Sequence, residues 1–504
     1  DAADPVVYAQ LSLSAIVIGF NVERNPNLAA GSEEEALRGV RVADLNLTPR
    51  LVAKLLTQSY RSQTTINAPP PYEWVEDNPR HLGLDPDFVQ FNPEFNLLSI
   101  AGGKNFGGMV TASRNSDAAG QVWEWVLSDP EARAWLDGVP DPWGMKVNPV
   151  YATTTAANSA GAAFGDPIPD FFPKSDPHCY QAPPQGPGGS IVPPLLCGTD
   201  WLPYSQGMRE AARATRVADD GARTGTDPFA LSADKVYRPD GPQPLGSRAI
   251  LSVTDSPSAF QYGLQSARLS RSGDDAPDRR FIAPDVAGLT AGVEAMAPKD
   301  EPAVLEPDPA AVAVSAYPLT ALTYAAITPL SDDDQARKEY ATFVEYAAGP
   351  GQESGLELGR LPTGYVPLPA SLRTQATVAA KTIRELKLVP APTETPIETP
   401  SSATPGTHDS STGSSGGAAV LSSPAPVLTS TGSDQSEPDS VALPVTPIAA
   451  LVSSRFVLPI LAAVALLSAL AALEITKRPR FTIGTRPGAG GPESGGQEPE
   501  GFTS

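Results

Sequence analysis

The residues best suited to chemistry lie in one turn, Arg114-Asn115-Ser116-Asp117-Ala118-Ala119-Gly120-Gln121. It follows a short apolar run, Gly108 to Ala112, read as a strand. It precedes Gln121 to Leu127, where Val122, Trp123, Val126 and Leu127 have the spacing of a buried helix face. A strand-to-helix turn presents unpaired backbone N–H groups and the positive end of a helix dipole, a ready setting for an anion. Arg114, Asp117 and Gly120 are the candidate ligand-binding residues, with Gln121 as an amide donor. The same residues fit a purely structural turn, in which Asp117 caps the helix and Arg114 pairs with an acid. Elsewhere chemistry is sparse. His81, His178 and His408 are scattered, so no histidine-based nucleophile is expected. No metal-ligand spacing and no glycine-rich nucleotide loop occur, and the chain reads as a non-enzyme without metal or cofactor. Cys179 and Cys197 share one Pro/Gly-rich loop; a disulfide closing that loop is expected, with two free thiols as the alternative.

Several elements must hold that turn. Pro5 to Val22 is mostly apolar and β-branched, and predicts a pair of strands or one long bent strand in a core. Thr48-Pro49 starts a helix with Leu51, Val52, Leu55 and Leu56 inward. Trp135 and Trp143 fall among Pro and Gly and suggest a rigid, partly exposed loop, either packed or serving as an aromatic platform. Residues 152–245 read as a loop-rich insertion holding both cysteines; within it Arg209, Arg213 and Arg216 form the solvated face of a basic helix. Ala249 to Val253 predicts a strand, Ser256-Pro257 a helix start, Leu264 to Leu269 a further strand, and Gly288 to Met296 a helix. Val312 to Ile327 predicts a buried strand broken at Tyr317-Pro318. A helix then starts at Ser331-Asp332-Asp333-Asp334, with Tyr340, Phe343, Val344 and Ala347 on one face. Gly349-Pro350-Gly351-Gln352, a second short helix and Gly364-Tyr365-Val366-Pro367-Leu368-Pro369 close the segment.

The whole chain of 504 residues carries 55 prolines, 43 glycines and a formal net charge of −21. That acidity argues against nucleic acid, whose phosphates call for basic patches. Residues 390–454 are Pro, Ser and Thr with few large apolar side chains, and read as a disordered stalk open to O-glycosylation. Phe456 to Leu473 is apolar and long enough to cross a bilayer core of about 30 Å, so 455–476 is expected to be a transmembrane helix. Lys477-Arg478-Pro479-Arg480 after it assigns residues 477–504 to a disordered cytoplasmic tail and the N-terminal mass to the outside. Leu443-Pro444-Val445-Thr446-Pro447 is similar to a sortase signal, but has Pro447 where the motif has glycine; a retained anchor is the expectation. No secretory signal opens at Asp1, so either one has been removed or the chain begins inside a longer polypeptide.

The "YPLTALTYAAI" run, the amphipathic helix after it, "GPGQ" and "GYVPLP" resemble the C-terminal return segment of PstS-type phosphate-binding proteins, here in a membrane-anchored Gram-positive form. These are solute receptors of ABC importers. The resemblance runs by order and spacing from about Pro5 to Leu372. It implies an α/β fold: a periplasmic-binding-protein-like two-lobed domain over residues 1–389, its first lobe incomplete at the N-terminus. It also implies a small, phosphate-like anion held between the lobes and an ABC permease as partner. Phosphate receptors carry Arg, Asp and then Ser-Gly-Thr in the ligand turn. Arg114, Asp117 and Gly120 match by type, while Ala119 stands for the serine and Gln121 for the threonine. The alternative is a surface structural or adhesion module that keeps the receptor fold without a ligand.

Overall fold

The apolar run near the start forms a single strand, β1 (Val7–Val22), and the rest of the chain is arranged around it. The computed structural model describes residues 5–385, apart from 64–74, 101–105, 160–162, 174–178, 198–204, 220, 222–224, 228, 239–240, 275–278, 299–300, 302 and 330–332. After β1 come α1 (Ser32–Ala36), β2 (Asn46–Leu47), α2 (Pro49–Leu56), α3 (Pro86–Val89), α4 (Asp117–Leu127) and α5 (Pro130–Leu136). Next are β3 (Cys179–Tyr180), β4 (Leu196–Cys197), α6 (Met208–Val217), β5 (Gly225–Thr226), β6 (Tyr237–Arg238), β7 (Ala249–Asp255) and α7 (Ser256–Gln261). The chain continues through β8 (Gln265–Ser266), β9 (Arg268–Leu269), α8 (Val286–Glu294), β10 (Met296–Pro298) and β11 (Leu305–Pro307). It ends on β12 (Thr320–Ile327), α9 (Asp334–Ala348) and α10 (Ala370–Glu385). The fold is mixed α/β.

β1 serves two partners in succession. Its first half, Val7 to Ala15, pairs antiparallel with β12, and the register shifts between Gln10 and Ser12. Its second half, Ile16 to Val22, pairs antiparallel with β7. The main core gathers around that second half, with Phe20, Leu51, Trp123, Trp135, Leu251 and Tyr317 all buried. A second cluster covers the first half: Ala9 packs with Val344 of α9 and with Ala376, Ala380 and Ile383 of α10. The "GPGQ" and "GYVPLP" segments join these parts. Gln352 Nε2 donates to the carbonyls of Leu11 (3.0 Å) and Ala347 (2.6 Å), while its Oε1 accepts from Leu368 N (2.7 Å). Gly364 has φ +98°, and a Cβ there would lie 2.5 Å from Pro257 Cα, so only glycine fits.

α2 follows its sequence signals. Thr48 Oγ1 accepts from Leu51 N, and Pro49 occupies the first turn. The helix is buried on every side, however, including its charged residues. Lys54 is fully buried, and its Nζ meets Asp85 Oδ2 (2.9 Å), Asp87 Oδ2 (2.9 Å) and Asp141 Oδ2 (2.6 Å). Arg50 forms a fork on Asp87, with two bonds of 2.8 Å. Tyr60 donates to Asp85 Oδ2 at 2.8 Å. Burial pushes the Asp85 carboxyl up, whereas Lys54 and Arg50 hold Asp87 down at about 2 against its own burial.

Several expectations change. Gly108 to Ala112 is not a regular strand; it makes single parallel bridges, Val110 to Ser252 and Ala112 to Ser205. β12 begins only at Thr320, and Val312 and Val314 stay exposed, because Pro318 cannot donate to a ladder. α9 begins after its cap Asp333, as the acidic start suggests, but turns Ala341, Val344 and Ala348 inward. Tyr340 and Phe343 face solvent at 44% and 56% exposure. The physical reason is close helix packing: α10 presents Ala376, Ala379 and Ala380 to this face, which leaves no room for aromatic rings. No helix forms between Gln352 and Gly364, where a second short helix is expected; the helical turn nearby is a 3₁₀ turn, Pro350–Gln352, on the GPGQ segment itself. Trp135 is not in a loop but buried in α5, its Nε1 donating to Met145 O at 3.0 Å, while Trp143 is exposed. α6, inside the predicted insertion, buries Ala211, Ala212 and Ala214 in the body of the fold and leaves Arg209 and Arg213 outside. In the β3–β4 pair the backbone register sets Cys179 directly opposite Cys197. The expected stalk (390–454), transmembrane helix (455–476) and tail (477–504) lie outside the described residues, among which no helix is long and apolar enough to cross a membrane.

Candidate functional site

α4 is held in place by its own cap and by two neighbouring loops. Ser116, not Asp117, is the N-cap, its Oγ accepting from Ala119 N at 3.2 Å. Ser116 N donates to Asp170 O (2.7 Å), and Asn115 Nδ2 to Asp170 Oδ1 (2.8 Å). Further along, Trp123 Nε1 donates to Phe171 O (2.9 Å) and Trp125 Nε1 to Ser270 O (3.1 Å). Ser272 Oγ returns a bond to Trp125 O at 2.8 Å. The helix is thereby fixed between the loop at 168–171 and the segment 270–273.

A groove follows from this arrangement. At the start of α4, a cavity of about 650 Å³ is lined by Asp117, Gly120, Gln121 and Glu124, by Tyr8, Leu322, Thr323 and Tyr324 of the β1–β12 pair, and by residues 304–306. Tyr324 OH accepts from Leu305 N at 2.9 Å and so anchors β11 over β12. Further along, Gln121 and Glu124 share with Arg271, Pro309 and Pro318 a crevice of about 10 Å³, room for roughly one water. Gln121 Oε1 is a buried acceptor without a hydrogen-bond partner. Arg271 also lines a third space, of about 620 Å³, with Ser128, Asp274, Asp308 and residues 309–314. The crevice shares Gln121 and Glu124 with the first space and Arg271, Ser272 and Pro309 with the third, so the three form a row of spaces, a groove beside α4 narrowed at its middle.

The structure therefore brings together three of the four residues picked from the sequence. Asp117, Gly120 and Gln121 line one cavity, while Arg114 is exposed and is not part of its wall. Gly120 points into open space: a Cβ there meets nothing within 4 Å. The lining of the first cavity includes four carboxylates, Asp117, Glu124, Asp170 and Glu306, and neither Lys nor Arg among the described residues. Sequence reasoning does not find Arg271, the one arginine that lines the groove among the described residues. Its only local signal is a basic residue between two serines just after a short strand. No family model matches this chain, and no curated protein matches it.

Proposed function

We propose that this chain is a cell-surface, membrane-tethered solute-binding protein, similar in plan to the receptors that deliver small ligands to ABC importers. In this reading the described residues belong to a two-lobed domain, and β1 and β12 are the strands that cross between its lobes. Residues 390–454 act as the stalk, 455–476 as the anchor and 477–504 as the cytoplasmic tail, with the binding domain outside. The protein binds rather than catalyses, and its ligand is a small solute with an anionic group. The observation that carries the reading is the shared cavity of Asp117, Gly120 and Gln121, set against the β1–β12 pair. A ligand-free surface module is the second reading, and two facts favour it: Arg114 stands outside the cavity, and the cavity wall carries four carboxylates.

Calorimetric titration of the full chain in detergent separates the two. Phosphate and small carboxylates are the titrants, against wild type, Arg114→Ala and Gly120→Leu. Leucine at Gly120 projects into the groove without disturbing the helix. The proposal expects wild-type binding that Gly120→Leu abolishes. Absence of heat from the wild type with every titrant leaves the structural module standing.

A further inference from the structure

Four arginines are buried among the described residues: Arg50, Arg271, Arg279 and Arg337. Three of them pair with an acid, Arg50 with Asp87, Arg279 with Glu131 and Arg337 with Asp334. Arg271 is the exception. It is 6% exposed, and its Nη2 donates to two neutral carbonyls, Asp308 O at 2.7 Å and Ala311 O at 3.1 Å. Nε and Nη1 make no hydrogen bond to the protein. Neither is sealed from solvent, and Arg271 lines the 620 Å³ space. A buried guanidinium without a carboxylate is costly, and a ligand anion supplies what is missing.

The charges around it narrow the ligand class. Asp274 and Asp308 line the same 620 Å³ space, and theirs are the carboxylates whose field Arg271 feels. Asp308 Oδ1 already accepts from Ala310 N at 2.9 Å. A doubly charged anion would meet repulsion from both carboxylates, whereas a molecule with one carboxylate and one ammonium group meets attraction at both ends. Ser128 adds a hydroxyl to the wall.

We propose that the Arg271 end of the groove binds a small zwitterion of the amino-acid class, with its carboxylate on the Arg271 guanidinium and its ammonium group facing Asp274 and Asp308. This deepens, and rests on, the solute-binding reading above. Burial alone pushes the Arg271 guanidinium below its ordinary value, and a bound carboxylate would reverse that cost.

The test is calorimetric titration of the full chain in detergent with alanine, glutamine, acetate, methylamine and phosphate, each used alone. Binding of alanine or glutamine at least about tenfold tighter than acetate or methylamine is expected, since a buried charge pair contributes at least about one factor of ten. Arg271→Lys keeps the charge but loses the fork, and should weaken zwitterion binding about tenfold. Asp274→Asn, on a partly exposed residue, should weaken zwitterions while acetate binds no less tightly. Zwitterion affinity unchanged in both variants overturns the proposal. Phosphate or acetate binding with no zwitterion binding overturns it while leaving the solute receptor intact. No heat from any probe sinks both.

Discussion

Replacing Lys54 by Met tests how the core that carries α4 is held together. The ammonium group is fully buried and touches three carboxylates, two at 2.9 Å and one at 2.6 Å. Methionine keeps the length of the side chain and deletes the charge. The three acids do not suffer equally. Asp87 keeps the Arg50 fork, and Asp141 keeps the N–H groups of Trp143 and Met145. Asp85 keeps only Tyr60 OH and Asp87 N, and burial already raises it, so it takes up a proton in the variant. Protonating a carboxyl of ordinary pKa 3.9 at pH 7 costs about 4 kcal/mol. That falls within the range of about 3–5 kcal/mol seen when one partner of a buried pair is removed. It is also a large part of a typical stability of about 5–15 kcal/mol. The sign of the pH effect follows. In the variant the folded pKa of Asp85 lies above its unfolded value, so the folded state binds the extra proton, and the deficit shrinks by about 1.4 kcal/mol per unit as pH falls from 7 towards 4. Urea unfolding of wild type and Lys54→Met at pH 7 and pH 5 measures this directly. The double variant Lys54→Met/Asp85→Asn should recover most of the loss at pH 7, because the amide oxygen still accepts from Tyr60. A loss under about 1 kcal/mol, or one that does not change with pH, would refute the sealed-cluster reasoning.

Gly364→Ala should destabilise by more than the roughly 1–3 kcal/mol of an unfavourable backbone region, because its Cβ would also meet Pro257 Cα at 2.5 Å; thermal unfolding against a surface Gly120→Ala control checks this. His81 is buried, its Nδ1 has no partner, and burial, aided by Arg80, holds its imidazole down at about 4. Its folded pKa is below the unfolded one of about 6.5, so the stability it contributes is present above 6.5 and falls away as pH drops, by about 2 kcal/mol between pH 7 and 5. Denaturant unfolding across that window should show a flatter profile for His81→Leu than for wild type.

What the sequence makes legible here is local. Thr48-Pro49, Asp333 and Ser256-Pro257 announce helix starts because capping involves only neighbouring residues. β1 is legible because a long apolar β-branched run has few other places to go. The start of the groove is legible because a helix start is local: Ser116 caps the first turn of α4 within its own few residues. What escapes is set by distant partners. Lys54 carries no signal in the sequence; its partners Asp85, Asp87 and Asp141 are brought in from other segments. Arg271 looks like any basic loop residue until the carbonyls of Asp308 and Ala311 close over it from across the fold. The inward face of α9 depends on the small residues of α10, whose Leu372, Ala376, Ala380 and Ile383 spacing is itself visible but points to no partner. Arg114 matches the ligand motif by type, yet its exposure depends on the path of the chain before α4.

Hydrogen–deuterium exchange of the full chain, with and without a mixture of phosphate and amino acids at millimolar concentration, reads out whether a solute occupies the groove beside α4. Added solute should slow exchange in 117–125, 271–274 and 304–314, and in Gly120→Leu the protection of 117–125 should be lost. Protection confined to other parts of the fold, or no change in these three stretches under any condition, would contradict that occupancy.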